Sequence, residues 1–466
     1  LNGRQVINVV LEEDAQLLEG TVVTALGIKR SERSVAYNVQ AIDSKEFNVR
    51  DANLVNSLGG KLAGVQINST PSVGGETRVV MRGQKSIAGG NNALYVLDGI
   101  PLPTLSTTTP GDGFSIMRTS TPSGDGISNF NSEDIASMSA LVGPSSAALY
   151  GYKAQNGILM LTTRTAEEGV SVSYNTNTTF SNPFMLPDIQ STYGAKDGVY
   201  ASWGDKLTYK PSWSYKDFFQ TGYNTSHSVS LSIGKESSST YLSAAYTDAQ
   251  GIIPNNDYTR YNFTMNHTED FLKDRLHLSV LAMYMNVEEQ NMLNGGQYYN
   301  PLIPVYLMSP SDDINKYAVY ERYNASRNFP TQYWPWGSMN LQAQNPFWIV
   351  NRNMFNNKKN RYLLGGSLKY EITDWIDISG RVRTDFTDVL AEQKNYASTS
   401  GLFAGDKRRY FHDSNKTIQT YADVLVNIHK TFGDDLVQLN ANIGASVEDY
   451  LYRQAYAAGD LLGVPN

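Results

Sequence analysis

The sequence lacks cysteine altogether, which excludes disulfide bonds and thiolate metal sites from its 466 residues. Charged residues make up only 18%, and the net charge of −7 provides no basic face of the kind that nucleic-acid binding requires. No run of 18 apolar residues is present, so no transmembrane helix is encoded. The remaining possibilities depend on the pattern of apolar and polar residues along the chain.

Motifs for catalysis and metal binding are also missing. The five histidines show no metal-ligand spacing, and no nucleophile elbow, phosphate loop or paired carboxylate motif stands out. The two Gly-Asp-Gly strings at 111–113 and 124–126 indicate turns, because a calcium loop needs more acids at regular spacing. We therefore predict that the protein is not an enzyme and that it uses no cofactor or metal.

Residues 36–167 have the pattern of a mixed α/β domain. In "DANLVNSLGGKLAGVQI", apolar Leu54, Val55, Leu58 and Leu62 have helical spacing, and Gly64 ends the predicted helix. "TRVVMRG", "NALYVLDGIP" and "NGILMLTT" predict strands. "NSEDIASMSALVGPSSAALYG" predicts a helix entry, a strand and a short helix that ends at Gly151.

From about residue 168 the pattern alternates with period two, which is typical of strands with one apolar face. In "WIDISGRVRTDF" one face carries Ile376, Ile378, Val382 and Phe386, and the other carries Asp377, Arg381, Arg383 and Asp385. In "RLHLSVLAMY" the second face also becomes apolar after Ser279. We predict nine strands, at about 169–180, 226–234, 239–248, 259–268, 275–288, 361–372, 375–388, 417–430 and 436–449.

The connections between these strands are alternately short and long. This alternation is the signature of a transmembrane antiparallel β-barrel in the outer membrane, with tight periplasmic turns and long external loops. The alternative is a soluble antiparallel sandwich, which rarely carries loops of this length at one end only. The barrel interpretation places the apolar face towards lipid, the polar face towards the lumen, and the long connections 181–225 and 289–360 outside the cell, against substrate or a partner.

These segments together resemble the SusC/RagA-like class of TonB-dependent outer-membrane transporters. The resemblance rests on "LYVLDGIP", "NSEDIASMSALVGPSSAALYG" and "NGILMLTT" in that order, with support from "LGGKLAGVQI" and "VVMRG". Two strings depart from the family pattern: "YGYKAQNG" in place of a small-residue run, and "EGTVVTALG", where Gly20-Thr21 replaces an acidic residue followed by valine.

The resemblance implies four regions. Residues 1–17 would end a carboxypeptidase-regulatory-like β domain that begins upstream, and 18–35 would carry the Ton box and linker. Residues 36–167 would form the plug domain inside the lumen, and 168–466 would be the first part of a barrel of about 22 strands. The implied partners are the C-terminal domain of TonB, a SusD-like surface lipoprotein and outer-membrane lipid.

The short β-prone string near the start of the chain is the predicted TonB-docking segment. No hairpin turn visibly joins it to a neighbouring strand, and an unpaired strand invites pairing by another chain. Main-chain hydrogen bonds would give affinity with little need for particular side chains. The alternative is a linker strand that pairs within the protein. The predicted segment is Glu19, Gly20, Thr21, Val22, Val23 and Thr24.

Other candidate residues lie in the plug. Arg82 with Gly83 matches the Arg-Gly pair of the family, and the arginine would pair with a lumen-facing barrel acid such as Asp385 or Glu448; the alternative is an ordinary surface arginine. Three pairs are predicted to be turn chemistry that scaffolds the plug, namely Asp98-Gly99, Tyr150-Gly151 and Asn156-Gly157.

Five of the six tryptophans fall in the long loops and are candidates for contact with substrate or partner: Trp203, Trp213, Trp334, Trp336 and Trp348. The alternative for each is packing within the loops. Trp375, beside a short turn, fits the aromatic girdle at the membrane interface.

The predicted function is active import of a large nutrient, an oligosaccharide or a peptide, across the outer membrane. A passive porin would lack the plug, and a surface adhesin or enzyme is the other alternative. The 299 residues from 168 to 466 hold nine strands, so a barrel of about 22 strands would need roughly 700 residues. We therefore expect that the barrel does not close within this chain, and that the strands near 169–180 and 436–449 do not pair with each other.

Overall fold

The computed structural model describes residues 21–23, 29–31, 39–43, 54–69, 77–86, 90–103, 126–196, 202–293, 299–336, 343–432 and 437–463. It contains two connected parts: a small mixed domain, and a large antiparallel sheet that curves around it. The predicted upstream segment 1–17 lies outside the described residues. Among the helices that the structure describes, none is long and apolar enough to cross a membrane.

The plug domain is built on a five-stranded sheet. Its strands are β3 (Val39–Asp43), β6 (Leu94–Leu97), β7 (Ile100–Pro101), β8 (Ile135–Leu141) and β9 (Ile158–Thr163), in the order β3-β8-β9-β6-β7. Strands β6 and β9 are parallel and the other neighbours are antiparallel. A separate hairpin pairs β4 (Val65–Ser69) with β5 (Thr77–Met81), and helix α1 spans Pro144–Tyr150. Short 3-10 helices cover Leu54–Leu58, Ser132–Asp134 and Gly151–Ala154.

The helix predicted from Leu54 is a single 3-10 turn that ends at Leu58. The four apolar residues of the prediction are buried, so the sequence pattern identified the face correctly. Gly59 and Gly60 interrupt the pattern in the middle of the segment, and Gly60 has a positive φ of 77° that a helix does not accommodate. The chain then turns at Gly64 into β4.

All nine predicted strands of the large sheet are present. They are β10 (Gly169–Ser181), β11 (Gly222–Lys235), β12 (Ser238–Gln250), β13 (Asp257–Phe271), β14 (Leu276–Gln290), β17 (Asn353–Thr373), β18 (Ile376–Tyr396), β19 (Arg408–Phe432) and β20 (Val437–Asp460). Each pairs with its neighbour in chain order, antiparallel throughout. Among the described residues β10 and β20 each have one neighbour and do not pair with each other, which confirms the expectation that the sheet does not close within the chain.

Short and long connections alternate as predicted. The long connection between β14 and β17 carries helices α2 (Leu302–Leu307) and α3 (Pro346–Arg352), and the hairpin of β15 (Glu321–Asn324) with β16 (Phe329–Gln332). Short 3-10 helices lie at Tyr215–Phe218 and Ile314–Tyr317. Apolar residues of the long connections pack together in a buried cluster, here called the loop cluster. Its members are Phe218, Ile253, Val305, Met308, Ile314, Tyr317, Ala343 and Val350. The long loops therefore have a core of their own.

Aromatic rings mark two levels on the outer face of the sheet. At the upper level Phe263, Tyr284, Tyr362 and Phe386 are cross-strand partners, with ring centroids 6.3, 4.8 and 6.0 Å apart. At the lower level Trp375 adjoins a short turn, with the Lys430 ammonium 4.3 Å from its ring centroid. Ten residues of β18 separate the levels. The eleven steps from Trp375 to Phe386, at about 3.4 Å each and a tilt of about 40°, give about 29 Å, which is close to the apolar band of about 25 Å in an outer-membrane barrel.

The inner face of the sheet packs against the plug. Met283, Met285 and Leu363 point inwards and belong to the same buried cluster as the plug residues Leu97, Phe130 and Met138. This contact explains why the second face of the β14 segment becomes apolar in the sequence. A lumen that held only water would favour polar residues there.

Candidate functional site: the plug–barrel interface

The Asp98-Gly99 pair makes the tight turn between β6 and β7. Both residues have positive φ, 48° and 79°. The Asp98 carboxylate accepts hydrogen bonds from the backbone N–H and the hydroxyl of Thr163, at 2.9 and 2.8 Å. Burial raises the pKa of Asp98, and the bonds from Thr163 oppose that shift. This turn is therefore fixed to the end of β9.

The other two predicted pairs also hold the plug together. The Tyr150 hydroxyl donates to the Gly99 carbonyl at 3.1 Å, so α1 is joined to the Asp98 turn. Gly151 ends α1 with a φ of 70°. The Asn156 amide donates to the Gly90 carbonyl at 2.9 Å. These positions support a scaffold role, which remains our interpretation of them.

Gly157 is the most constrained glycine of the plug and gives a direct prediction. Its φ is 103°, and a Cβ at this position would lie 2.4 Å from the Met81 sulfur. We expect Gly157→Ala to destabilise the docked plug by about 2–3 kcal/mol, because strain and overpacking add. Gly151→Ala is the matched control, since its Cβ would meet open space; strain alone predicts about 1 kcal/mol. Thermal unfolding of the two variants measures the difference, and equal losses would contradict the packing argument.

Two barrel arginines hold the Asp98 turn from outside. The Arg383 guanidinium donates to the carbonyls of Leu97 and Ile100, each at 3.1 Å, and also to that of Pro101. Arg381 donates to the Asp98 carbonyl at 3.2 Å while it pairs with Asp423 of the next strand. The barrel wall thus binds the plug backbone through fixed cations.

Arg361 on β17 forms the most deeply buried ion pair. Its guanidinium makes two hydrogen bonds to Asp385, at 2.9 and 2.6 Å, and both side chains are fully buried. It also donates to the Gly126 carbonyl and lies 5.1 Å from the Phe130 ring centroid. One barrel residue therefore contacts both the neighbouring strand and the plug.

Asp134 is the plug carboxylate with the most barrel partners. It accepts hydrogen bonds from the hydroxyls of Tyr241, Ser243 and Thr264, at 3.1, 2.5 and 2.6 Å. The amide of Asn131, within the plug, approaches it at 3.3 Å. Burial raises the pKa of Asp134, and these donors oppose the shift. Asp134 is therefore a polar anchor that joins the plug to strands β12 and β13.

Arg82 lies apart from this network. Its side chain is exposed, and a Cβ on Gly143 of the plug would lie 3.2 Å from its guanidinium. No carboxylate in the described barrel strands lies within ion-pair distance of it. The two acids considered as partners are engaged elsewhere: Asp385 with Arg361, and Glu448 with Lys153 of the plug at 2.9 Å. Among the described residues it is therefore Lys153, and not Arg82, that forms an ion pair between the plug and a barrel acid, Glu448.

The predicted TonB-docking segment is described only at Thr21–Val23, as strand β1. Contrary to the expectation of an unpaired strand, β1 pairs antiparallel with β2 (Lys29–Ser31). No other described strand adjoins β1, so its second edge has no neighbour among them. Glu19, Gly20 and Thr24 lie outside the described residues.

Four of the five loop tryptophans pack within the loops. Trp348 is fully buried and donates to the Thr399 hydroxyl at 3.1 Å. Trp213, Trp334 and Trp336 are partly buried against the loop cluster. Trp203 is 69% exposed and stacks on Tyr193, with centroids 5.8 Å apart. In the described part of the chain, no group of histidine and acidic residues is arranged to hold a metal ion.

Sequence reasoning missed most of the interface residues. Arg361 and Asp134 were not singled out, and Arg381 and Arg383 were recognised only as members of the lumen-facing set. The sequence does contain a signal for such residues, namely a charged residue on the lumen-facing side of a predicted strand. A charged side chain that faces the plug needs a buried partner, so this pattern indicates a contact between the barrel and the plug.

The comparisons with known proteins agree with this architecture. Residues 31–158 match the family described as TonB-dependent Receptor Plug Domain. The chain is 28% identical over 418 residues to the TonB-dependent receptor SusC of Bacteroides thetaiotaomicron, an alignment that covers 85% of this chain and 38% of SusC. It is 29% identical over 323 residues to the TonB-dependent receptor P26 of Formosa agariphila, covering 64% of this chain and 30% of P26.

Solved structures show the same fold at low identity. The RagAB peptide importer in its open-open state superposes with a TM-score of 0.66 at 15% identity, covering 94% of this chain and 53% of that chain. The unliganded ferric citrate transporter FecA gives 0.55 at 10% identity, covering 91% and 49%. The chain thus spans 38% of the length of SusC, 30% of the length of P26 and about half of each of these two solved chains.

A plug domain inside an antiparallel sheet with an outer apolar band defines the class of plugged outer-membrane receptors. Within this class residues 31–158 match the TonB-dependent receptor plug family, and the chain is similar to SusC in sequence and to RagAB in fold. It is accordingly an outer-membrane protein, and the relatives named above are receptors and transporters.

Proposed function

We propose that the protein performs TonB-dependent active import of a large nutrient, an oligosaccharide or a peptide, across the outer membrane. The observation that supports this most directly is that buried hydrogen bonds hold the plug against the barrel wall. Arg361 and Arg383 of the barrel donate to plug carbonyls, and the barrel hydroxyl of Ser243 donates to Asp134 of the plug. A lumen blocked in this way needs energy to open, which passive diffusion does not supply. The proposal assigns transport and not catalysis to this chain.

The proposed partners are TonB on the periplasmic side and a SusD-like surface lipoprotein over the long loops. Strand β1 offers TonB one edge without a described neighbour, so a strand of TonB could add to it through main-chain hydrogen bonds. The proposed docking segment is Glu19–Thr24. The proposed domain boundaries remain 1–17, 18–35, 36–167 and 168–466.

The loops support the proposed external partner. The loop cluster gives the long connections a fixed shape, so they form a surface that a second protein could cover. Trp203, which is exposed, and Trp334 and Trp336, which are half-buried, remain candidates for such contacts.

Val22→Pro tests the energised step, because proline removes a backbone donor from the docking strand. We expect uptake of the nutrient to fall to the level of cells without TonB, while the amount of protein in the outer membrane stays unchanged. Val22→Thr, which keeps strand propensity and the N–H, is the control and should transport normally. Undiminished uptake after deletion of residues 18–27, with the protein still in the membrane, would overturn energised transport.

A further inference from the structure

A pair of cations lies on the outer face of the sheet, just beyond the upper aromatic level. Lys416 of β19 and Arg453 of β20 are direct cross-strand partners. Two residues below them, Ile418 and Leu451 continue the row of partners that contains Phe386 of the upper level. Because side chains alternate between the two faces of a strand, Lys416 and Arg453 point outwards as Phe386 does, and both are exposed.

The height of this pair places it among the lipid headgroups. Two residues, at about 3.4 Å each and a tilt of about 40°, put Lys416 and Arg453 about 5 Å beyond the upper aromatic level. In outer-membrane barrels the aromatic girdles lie at the interfaces that bound the apolar band. Side chains just beyond a girdle therefore meet the polar part of the lipid and not its hydrocarbon chains.

The two cations lack a protein counter-ion in the described structure. Among the described residues no carboxylate lies within ion-pair distance of Lys416 or Arg453, whereas Lys358 on the same outer face is paired with Glu288. Like charges directly opposite each other on neighbouring strands destabilise a sheet. An anion bound between Lys416 and Arg453 would remove this repulsion.

The acids nearest to the pair leave it with an excess of positive charge. Asp388 is the cross-strand partner of Lys416 on its other side, yet the two described side chains form no ion pair. Two cations and one carboxylate give this row a net charge of +1. Asp449 lies on the same face but four residues from Arg453 along β20, which is about 13 Å. The row therefore attracts an anion from outside the protein.

The surface next to the cations has room for a headgroup. Ala455 and Ala457 follow Arg453 on the outward face of β20, and Ser414 lies opposite Ala455 on β19. These short side chains leave the space beyond the pair open. A sugar or glycerol group attached to a phosphate meets no bulky side chain there.

We infer that Lys416 and Arg453 form a binding site for the phosphate group of an outer-leaflet lipid. The Arg453 guanidinium would donate two parallel N–H bonds to phosphate oxygens, with the Lys416 ammonium as a point charge beside them. A lipid fits better than free phosphate, because apolar Ile418 and Leu451 lie directly below and would contact the attached chains. The site lies on the lipid side of the barrel wall and is separate from the plug–barrel interface.

Native mass spectrometry of the purified full-length protein in detergent tests the inference, because it counts bound lipids. The probes are diphosphoryl lipid A and the same lipid after removal of its phosphates, each titrated into the protein. We expect the phosphorylated form to bind more tightly. Lys416→Gln and Arg453→Gln should each weaken its binding about fivefold, and the double variant about 25-fold, since a cation near an anionic lipid surface contributes a factor of about five.

Lys358→Gln is the matched control, because it removes one positive charge from the same face at a position that is already paired with Glu288. It should bind lipid A like the unmodified protein, and the gel mobility shift of the folded form should be the same in all variants. The inference is overturned if dephosphorylated lipid A binds equally well, if the double variant binds unchanged, or if Lys358→Gln loses as much as Lys416→Gln. Displacement of lipid A by an equal concentration of inorganic phosphate would also overturn it, since the site would then be one for the free anion.

Discussion

Arg361→Met is expected to lower the stability of the folded barrel by about 3–5 kcal/mol, because it leaves Asp385 charged and unpaired in a fully buried position. The Gly126 carbonyl of the plug loses its donor at the same time. Unfolding of the full-length protein in urea, followed by the mobility shift of the folded form in gel electrophoresis, measures the change.

Two further variants separate burial from charge. Lys358 lies on the same strand as Arg361 and forms an exposed ion pair with Glu288 of β14, in which the side chains are 54% and 53% exposed. Lys358→Met removes this pair and should cost less than about 1 kcal/mol. The double variant Arg361→Met with Asp385→Leu removes both charges and should recover most of the loss. Equal losses for Arg361→Met and Lys358→Met would contradict the role assigned to burial.

The sequence was sufficient to predict the large sheet. Alternation with period two identified all nine strands, because one face meets lipid and the other meets the lumen or the plug. The predicted strands were too short at the outer side, for example in β17, which begins at Asn353 and not near residue 361. Residues 356–360 are polar on both faces, since this part of the strand lies beyond the upper aromatic level, where no lipid selects an apolar side.

The partners within the site were harder to predict. The acceptors of Arg383 are backbone carbonyls, which leave no trace in side-chain identity. The sequence therefore indicated that Arg383 faces inwards and not what it binds. For Arg82, the family pattern suggested a barrel acid, but Asp385 and Glu448 have other partners. Lys153, in the string that departs from the family pattern, pairs with Glu448 instead.

The loop tryptophans illustrate a different limit. Composition placed Trp348 among the candidates for substrate contact, yet it is fully buried at the base of the long connection. A loop of this length with several aromatic residues can form its own core, and the sequence does not distinguish a ring in that core from one on its surface.

Asp134 is the plug residue whose loss should most affect docking. In Asp134→Ala the hydroxyls of Tyr241, Ser243 and Thr264 lose their shared acceptor within a buried interface. We expect docking to weaken by about 3 kcal/mol, since unsatisfied buried donors cost about 1–3 kcal/mol each and some of these hydroxyls can rotate towards other acceptors. The undocked fraction would then rise about a hundredfold.

The absence of cysteine from these 466 residues makes this effect measurable, because a single introduced thiol is the only one among them. Ser139→Cys places it in β8 of the plug, at a position that is 8% exposed. Maleimide labelling should be slow in the otherwise unmodified protein and much faster with Asp134→Ala. Asp134→Asn, which keeps one acceptor oxygen, should be intermediate, and Glu168→Ala, at an exposed position, should have no effect. Labelling of the Asp134→Ala protein at the unmodified rate would show that the plug is held mainly by its apolar contacts with Met283, Met285 and Leu363.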